Sequence, residues 1–202
     1  MVDFFVQGGG FMWPILIALL FGLAIIGERA YSLINSSSNT DQFFDDVKTV
    51  YDDSGKEQAI ELCENTPGPV ASIFYAGLSK MEKTKEEIEK AVQNAGGLEM
   101  AFLEKNMIWI NSVITIAPML GFTGTVVGMI KAFEDIKMAN DISPAVVAGG
   151  ISQALLTTAF GLIVAMIMQV AQNFFVSMID KLILDMEEQS IKIVEYLHSS
   201  KK

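Results

Sequence analysis

Three long runs without a charged side chain constrain this chain more than any other feature. The runs are Phe4–Gly27, Asn106–Ile130 and Ile142–Ile179, and none contains Asp, Glu, Lys or Arg. A helix needs about 20 apolar residues to cross roughly 30 Å of hydrocarbon, so each run is long enough. None alternates as a strand would, and a helix satisfies its backbone hydrogen bonds internally. The sequence therefore predicts an all-α integral membrane protein with three transmembrane helices.

Composition supports this class and excludes others. Hydrophobic residues make up 51% of the chain, more than soluble domains usually carry. The net charge of −10 and the dispersed lysines argue against a nucleic-acid partner. The single cysteine, Cys63, excludes an intramolecular disulfide and is expected to be a small buried hydrophobe. The first residues include Asp3 and lack a basic region, so we expect no cleavable signal peptide.

Helix start and stop signals divide the chain into segments. Ser54-x-x-Glu57 and Thr84-x-x-Glu87 fit capping boxes, and Ser143-Pro144 is typical of a helix start. Thr66-Pro67-Gly68-Pro69 should separate two helices, whereas no strong break is expected between the charged helix from Thr84 and the second span. The predicted segments are the N-terminus with transmembrane helix 1 (1–35), a helical domain (36–105), transmembrane helix 2 (106–134), a short loop (135–144), transmembrane helix 3 (145–179) and a C-terminal helix (180–202).

Lysine and arginine predict the orientation in the membrane. The first ten residues contain neither, whereas residues 36–105 contain seven lysines and the tail after Ile179 contains four. We therefore expect the N-terminus and the 135–144 loop to be periplasmic, and the helical domain and C-terminus to be cytoplasmic. The third helix should run from Ala145 to about Leu197, roughly 80 Å, and so form a long cytoplasmic extension.

The sequence offers little for catalysis. The only histidine, His198, lies in the charged tail, where a solvated surface position is expected. There is no Walker-type phosphate loop, no Cys/His metal spacing and no nucleophile motif. We therefore expect no enzyme activity, no metal and no cofactor.

The second and third spans each carry a stripe of small, weakly polar residues. Steps of three and four lead from Thr125 along one helix face and from Thr158 along another. Two interpretations stay open: helix packing, with each threonine bonding the backbone one turn back, or the lining of a shared cavity in a channel. The stripe in the second span contains Pro118, Gly121, Gly124 and Gly128, and the stripe in the third contains Ala154, Gly161 and Ala165.

Other polar residues in these spans are neutral. Pro118 should kink its helix and free a carbonyl near residue 114. Gln153, Asn111 and Asn173 are candidates for bonds across a subunit interface or for contact with water. The charge-free runs of both spans contain no carboxylate, so the chain's own side chains cannot carry a proton through mid-membrane. Either nothing ionic crosses here, or a partner supplies the acid.

Several of these motifs together resemble the MotA/TolQ/ExbB proton channel family, most closely its ExbB and TolQ branch. The resemblance covers almost the whole chain, and its two membrane motifs are specific in combination. The motifs are the Gly-rich start with Glu28-Arg29, Glu61-Leu62-Cys63 followed by Pro67-Gly68-Pro69-Val70-Ala71, Leu103-Glu104-Lys105-Asn106, APMLGFTGTVVGM from Ala117, and GGISQALLTTAFGL from Gly149 with Asn173.

The resemblance implies a ring of five copies that encloses the single membrane helices of two ExbD/TolR-type partner chains. An aspartate of the partner would carry the proton, and Thr125, Thr158 and Pro118 match the family's pore residues. Proton flow would move the partner and act on a periplasmic protein of the TonB or TolA kind. Two departures stand out: Gln153 where the family often has Glu, and Ile167 where it commonly has Pro.

The function expected from this resemblance is an inner-membrane proton-channel or stator subunit driven by the protonmotive force. The alternative is a passive scaffold that holds a partner in the bilayer without conducting protons, and Gln153 is its best support. A solute transporter is a weaker hypothesis, because three spans without an inverted repeat offer no substrate site at a repeat interface. The client system is left open.

Overall fold

The architecture is helical from end to end. The computed structural model describes residues 2–36, 40–139 and 144–199, and this part of the chain contains no strand. Three of its apolar stretches, in α2, α7 and α8, are long enough to cross a membrane, which agrees with the all-α membrane class. The helices in the described residues are α1 (Val2–Gln7), α2 (Met12–Ser36), α3 (Thr40–Ser54), α4 (Lys56–Asn65), α5 (Pro69–Ser79), α6 (Lys85–Leu103), α7 (Met107–Ala139) and α8 (Pro144–Ser199).

The predicted loop at 135–144 is too long at both ends. Helix α7 continues to Ala139, so residues 135–139 are helical, and Pro144 is already the first residue of α8. The remaining residues, 140–143, lie outside the described part of the chain, and the Ser143 cap lies there with them. Helix α8 is 56 residues long and ends at Ser199, as its uninterrupted sequence predicted.

The transition from α6 to α7 contains a break that the sequence prediction missed. Helix α6 ends at Leu103, and Asn106 has a left-handed φ of 65° just before α7 begins. Asparagine tolerates this conformation better than most residues because its short side chain bonds locally. The Asn106 Nδ2 donates to Glu28 Oε2 at 3.2 Å. The sequence feature that indicates this break is therefore Asn106, an asparagine shortly after the end of a charged helix.

One of the two predicted capping boxes is present. The Thr84 hydroxyl accepts from the backbone N–H of Glu87 at 3.3 Å, and the Glu87 carboxylate accepts from the Thr84 N–H at 3.1 Å. The Ser54 prediction is wrong, because Ser54 is the last residue of α3 and Gly55, with φ 95°, precedes α4. The break at Thr66-Pro67-Gly68-Pro69 is confirmed between α4 and α5.

The chain folds into two compact units. The first unit comprises residues 1–28 and 106–174, and the second comprises residues 29–105 and 175–202. The first unit therefore contains most of α2, all of α7 and the larger part of α8. The second contains α3 to α6 and the C-terminal part of α8.

The second unit has a core of large side chains. Phe74 is fully buried; its ring stacks on Phe43 at 5.6 Å and meets Phe44 edge-on at 5.9 Å. Tyr196 of α8 lies 6.2 Å from Phe44 and donates its hydroxyl to Asp52 at 2.6 Å. Such aromatic pairs add specific contacts to the burial of apolar area, and they anchor the end of α8 in this unit.

Three individual residues of the second unit meet their sequence expectations or extend them. Cys63 is buried, as expected, and burial raises the pKa of its thiol to about 12. His198 is exposed, also as expected. Arg29 is only 1% exposed, and its Nη1 donates to the Phe102 carbonyl at 3.4 Å, in the last turn of α6. A cation at a helix C-terminus interacts favourably with the helix dipole.

Candidate functional site

The two threonines singled out from the sequence meet between α7 and α8. The hydroxyls of Thr125 and Thr158 are hydrogen-bonded to each other. Thr125 Oγ1 also lies 3.0 Å from the carbonyl oxygen of Ala154, and Thr158 Oγ1 lies 3.1 Å from that of Gly121. Each hydroxyl thus reaches a backbone acceptor on the opposite helix, and both side chains are half-buried.

A third threonine, which the sequence analysis did not select, completes this cluster. Thr157 is 2% exposed, and its Oγ1 lies 2.7 Å from the Ala154 carbonyl and 3.2 Å from the Gly121 carbonyl. The signal was present, because steps of three and four from Ala154 and Gly161 also reach position 157. We refer to Thr125, Thr157 and Thr158 with the carbonyls of Gly121 and Ala154 as the threonine cluster.

Small residues bring the two helices together at this cluster. A Cβ added to Gly121 would lie 2.8 Å from the Thr157 carbonyl oxygen, and one added to Gly161 would lie 2.5 Å from the Ala117 carbonyl oxygen. These neighbours are backbone atoms, which cannot turn aside. The absence of side chains therefore lets α7 and α8 approach backbone to backbone, as small residues do in membrane helix pairs.

The other small residues of the two stripes continue this contact in part. A Cβ on Gly124 would lie 2.6 Å from Thr157 Oγ1, and one on Gly128 would lie 3.2 Å from the Ala154 Cβ. Ala165 is half-buried further along α8. The structure thus brings five of the six named small residues into one interface, namely Gly121, Gly124, Gly128, Ala154 and Gly161.

Pro118 and Gln153 lie apart from the hydroxyls. Pro118 is half-buried inside α7, which continues through it as a helix. Gln153 is also half-buried, and its amide lies over Gly9, where an added Cβ would collide with Nε2. Within the described residues no hydrogen bond joins Gln153 to the threonine cluster, so the geometry gives this amide different surroundings from the hydroxyls.

The later turns of the third span carry a second set of neutral polar groups. Gln169 Nε2 donates to Asn173 Oδ1 at 2.9 Å, and both side chains are exposed in the single chain. Gln172 Oε1 is buried and has no hydrogen-bond partner in the described part of the chain. Asn111 of α7 is exposed. Asn111 and Asn173 were predicted as candidates from the sequence, whereas Gln169 and Gln172 were not.

The chemistry available at the cluster is that of neutral hydroxyls. A threonine hydroxyl donates one hydrogen bond and accepts others, so it can orient a proton donor or acceptor without being charged itself. Among the described residues no group of three or more His, Cys, Asp or Glu side chains is placed to hold a metal ion. The cluster can therefore donate hydrogen bonds to, and accept them from, a group that reaches it.

Comparison with known proteins bears directly on this site. Residues 65–188 match the MotA/TolQ/ExbB proton channel family, a range that includes the whole threonine cluster. An ExbB-like biopolymer transport protein of Synechocystis, ExbB-like 3, is 29% identical over 188 residues, which cover 92% of this chain and 90% of that protein.

Two further relatives extend the comparison. A biopolymer transport protein ExbB homologue of Methanothermobacter thermautotrophicus is 28% identical over 89% of this chain and 64% of its own length. The Tol-Pal system protein TolQ of Pseudomonas aeruginosa is 28% identical over 52% of this chain and 51% of its own length. With its three apolar helices and this match, the chain is a multi-pass membrane protein that belongs to the MotA/TolQ/ExbB proton channel family, in its ExbB/TolQ branch.

Proposed function

We propose that this chain is the proton-channel subunit of an inner-membrane stator that converts the protonmotive force into mechanical work on a periplasmic or outer-membrane client. TonB-dependent import or a related envelope transport process is the kind of work meant. The observation that carries the proposal is the threonine cluster, in which neutral hydroxyls from two spans meet. Membership of the proton channel family supports the same function.

The hydroxyls of the threonine cluster share their hydrogen-bond acceptors. Thr125, Thr157 and Thr158 all lie within 3.2 Å of the Gly121 carbonyl oxygen, and two of them also reach the Ala154 carbonyl. Each hydroxyl has one hydrogen, so the three donors can exchange acceptors by rotation about a single bond. This freedom lets the half-buried Thr125 and Thr158 turn toward an incoming acid while Thr157 keeps the helices joined.

A partner must supply the acid that carries the proton. The charge-free runs of the second and third spans, Asn106–Ile130 and Ile142–Ile179, contain no carboxylate. We propose two copies of a single-span ExbD/TolR-type protein, each with a membrane aspartate, enclosed by five copies of this chain. A proton moving down the membrane potential makes about 2.3 kcal/mol available per 100 mV. A TonB- or TolA-like periplasmic protein would receive the resulting motion.

The proposed orientation follows the distribution of lysines. The N-terminus and the loop between α7 and α8 lie in the periplasm, and the second unit lies in the cytoplasm. The bilayer of the inner membrane then surrounds the large apolar side chains that the single chain exposes on its spans, such as Phe122 and Val170. Side chains of this kind are favourable toward lipid and costly toward water.

The passive scaffold is the second candidate, and one observation favours it. Gln153 is a neutral amide that lies over Gly9, so this position offers no titratable group in the third span. A scaffold would hold its partner whether or not a proton gradient exists. A protonophore that leaves the client process unchanged would therefore favour the scaffold over the stator.

The decisive experiment compares three isosteric substitutions within one cluster. Thr125→Val and Thr158→Val each remove a half-buried hydroxyl, and Thr157→Val, the matched control, removes the buried one. We expect the first two to abolish proton flux in proteoliposomes containing the partner while the complex still assembles. Thr157→Val should keep proton flux in the complexes that form. Thr158→Ser, which retains a hydroxyl at this position, should conduct protons where Thr158→Val does not.

The result that contradicts the proposed site is wild-type flux in both Thr125→Val and Thr158→Val. Assembly is measured separately by native mass spectrometry of the gently solubilised complex. Five copies of this chain with two copies of a small protein bearing a membrane aspartate would support the stator. A complex whose partner lacks that acid would favour the scaffold.

A further inference from the structure

An open apolar groove runs between α6 and the C-terminal part of α8 in the second unit. It consists of two adjoining cavities of about 430 Å³ and 260 Å³ that share Val92, Gln93, Ser190 and Ile191. Ile191 is 62% exposed although it is a large aliphatic residue. We call this surface the α6–α8 groove. Exposed apolar surface of this kind in a water-facing unit is typical of an interaction site.

Two adjacent glycines form part of the groove wall. Gly96 and Gly97 lie in the interior of α6, where glycine destabilises a helix relative to alanine. Packing within the chain does not require them, since a Cβ on Gly97 would meet nothing within 4 Å and one on Gly96 would meet only Ile73 Cδ1 at 3.9 Å. Bare backbone at the wall of an open groove lets a second helix approach closely.

The charge at the edge of the groove indicates what kind of helix would fit. The lining includes the carboxylates of Glu89, Glu187 and Glu195 and one cation, Lys85. Lys85 and Glu89 pair with each other at 3.6 Å. The edge is therefore negative overall, and its occupant should carry lysine or arginine beside a small or apolar stripe.

The same chain presents such a surface on another face of α6. Lys90 of α6, together with Lys80 and Lys83 from the turn before this helix, lies around Ala91 and Asn94, and Glu87 is the one acid in this lining. Leu98 lies one heptad beyond Ala91, on the same side of the helix, and is 75% exposed. We call this surface the α6 lysine face. It is basic and has a small-to-apolar stripe, so it complements the groove in charge.

We propose that the α6–α8 groove of one copy receives the α6 lysine face of the next copy. The inference rests on the proposed ring of identical copies and names the cytoplasmic surfaces that join them. A contact between two different surfaces of identical chains is head-to-tail, and such contacts generate closed rings when the rotation closes. Every copy then gives one lysine face and receives one, so no groove is left open to water.

Disulfide trapping tests this contact in the full-length protein in its own membrane. The variant Asn94→Cys/Ile191→Cys carries one thiol on each surface, and oxidation should produce a ladder of crosslinked species up to the closed ring. Each single variant should give no crosslink, and two single variants expressed together should give dimers only. The native Cys63 is buried, so it stays silent in all of them.

The control pair is Glu61→Cys/Ile191→Cys, because Glu61 is exposed on α4 and lines neither surface, so this pair should stay uncrosslinked. Homodimers from a single variant would reveal a symmetric contact and overturn the head-to-tail arrangement. Native mass spectrometry of the unsubstituted complex separates the two inferences. A ring without crosslinks overturns the groove contact alone, whereas a monomer overturns the ring of the proposed function.

A charge exchange provides a second test, read through the crosslinking yield of the same cysteine pair. Lys90→Glu should lower the crosslinking yield of the cysteine pair roughly tenfold by placing like charges at the contact. Adding Glu195→Lys to that variant should restore the yield. Equal yields in the cysteine pair alone, with Lys90→Glu and with both charge substitutions would overturn the pairing of these surfaces. Another contradicting result would be a monomeric preparation in which added lipid protects the Ile191→Cys thiol from reaction.

Discussion

The packing inside the first unit and the packing inside the second unit depend on opposite kinds of side chain. In the first unit, the α7–α8 contact depends on residues that have almost no side chain, such as Gly121 and Gly161, and on threonine hydroxyls. In the second unit, the core depends on large rings, with Phe74 fully buried among Phe43 and Phe44. The same chain thus uses close backbone approach in one unit and bulky packing in the other.

The proposed placement of the first unit in lipid and of the second unit in water would explain this difference. In water, burying apolar area is the main favourable term, so large side chains contribute most to stability. Lipid is as apolar as leucine, so burial against another helix gains little there, and contact distance and hydrogen bonds dominate instead. Substitutions should therefore be most damaging at large residues in the second unit and at the smallest residues in the first.

Truncation of Phe74 should have the largest effect. Phe74→Ala removes a fully buried ring and leaves a cavity, so we expect the free energy of unfolding to fall by about 3–5 kcal/mol. Thermal unfolding of the solubilised complex measures this change. Tyr75→Ala is the matched control. Tyr75 is next to Phe74 in sequence but is 39% exposed, so removal of its ring should lower the free energy of unfolding much less.

Cys63 offers a second readout that is specific to the second unit. Its thiol is buried, with a pKa of about 12, so it should react slowly with a maleimide while this unit is folded. Phe74→Ala should speed this reaction markedly. If Phe74→Ala and Tyr75→Ala react and unfold alike, bulky packing does not dominate this unit.

Addition of a single methyl group should have the next largest effect, in the first unit. Gly161→Ala places a Cβ 2.5 Å from the Ala117 carbonyl oxygen, which must force α7 and α8 apart. We expect destabilisation at the upper end of the roughly 1–3 kcal/mol typical of overpacking. Gly149→Ala is the control, because a Cβ there meets nothing within 4 Å. Equal thermal stability of the two variants would show that backbone approach does not hold this unit together.

Removal of the buried hydroxyl should have a smaller effect. Thr157→Val keeps the volume of the side chain but loses its bonds to the Ala154 and Gly121 carbonyls. Those carbonyls retain other donors, so we expect a loss of about 1 kcal/mol in the free energy of unfolding. Thr123→Val is the control, since Thr123 bonds only the Met119 carbonyl on an exposed face of α7. A loss as large as that of Gly161→Ala would mean that hydrogen bonds outweigh close approach.

Sequence reasoning succeeded where one local signal decides the structure. The charge-free runs predict the apolar helices, and Thr84 with Glu87 predicts a cap that is present, because both depend on neighbours in sequence. It failed where two signals compete. Ser54 has the right spacing for a cap, yet the left-handed Gly55 ends α3 just after it, so the serine stays in the preceding helix.

The candidate site was predictable in its positions but not in its contacts. Periodicity places Thr125 and Thr158 on faces of their own helices, but it cannot say which faces meet or how closely. The partnership with Thr157 depends on the register between α7 and α8, which is set by contacts such as that of Gly161 with Ala117. Thr157 was therefore missed although it is the most buried hydroxyl of the three.

A surface ion pair should have the smallest effect, and it tests whether charge matters to the second unit at all. Lys192 of α8 and buried Gln189 both donate to Asp41 of α3, at 2.7 and 2.8 Å, and these bonds hold the pKa of Asp41 below its usual value of 3.8. A carboxyl whose pKa is lowered by folding stabilises the folded state above its usual pKa, and this contribution is lost as the pH falls through the lowered value. Asp41→Asn should therefore reduce the acid sensitivity of thermal unfolding below pH 4 only slightly, because Asp41 is exposed and screened by salt.

The matched control for Asp41→Asn is Asp46→Asn, because Asp46 is an exposed acid on the same helix. If Asp41→Asn changed the unfolding temperature more than Phe74→Ala does, the comparison would be reversed. Charge, and not bulky packing, would then be the main support of this unit.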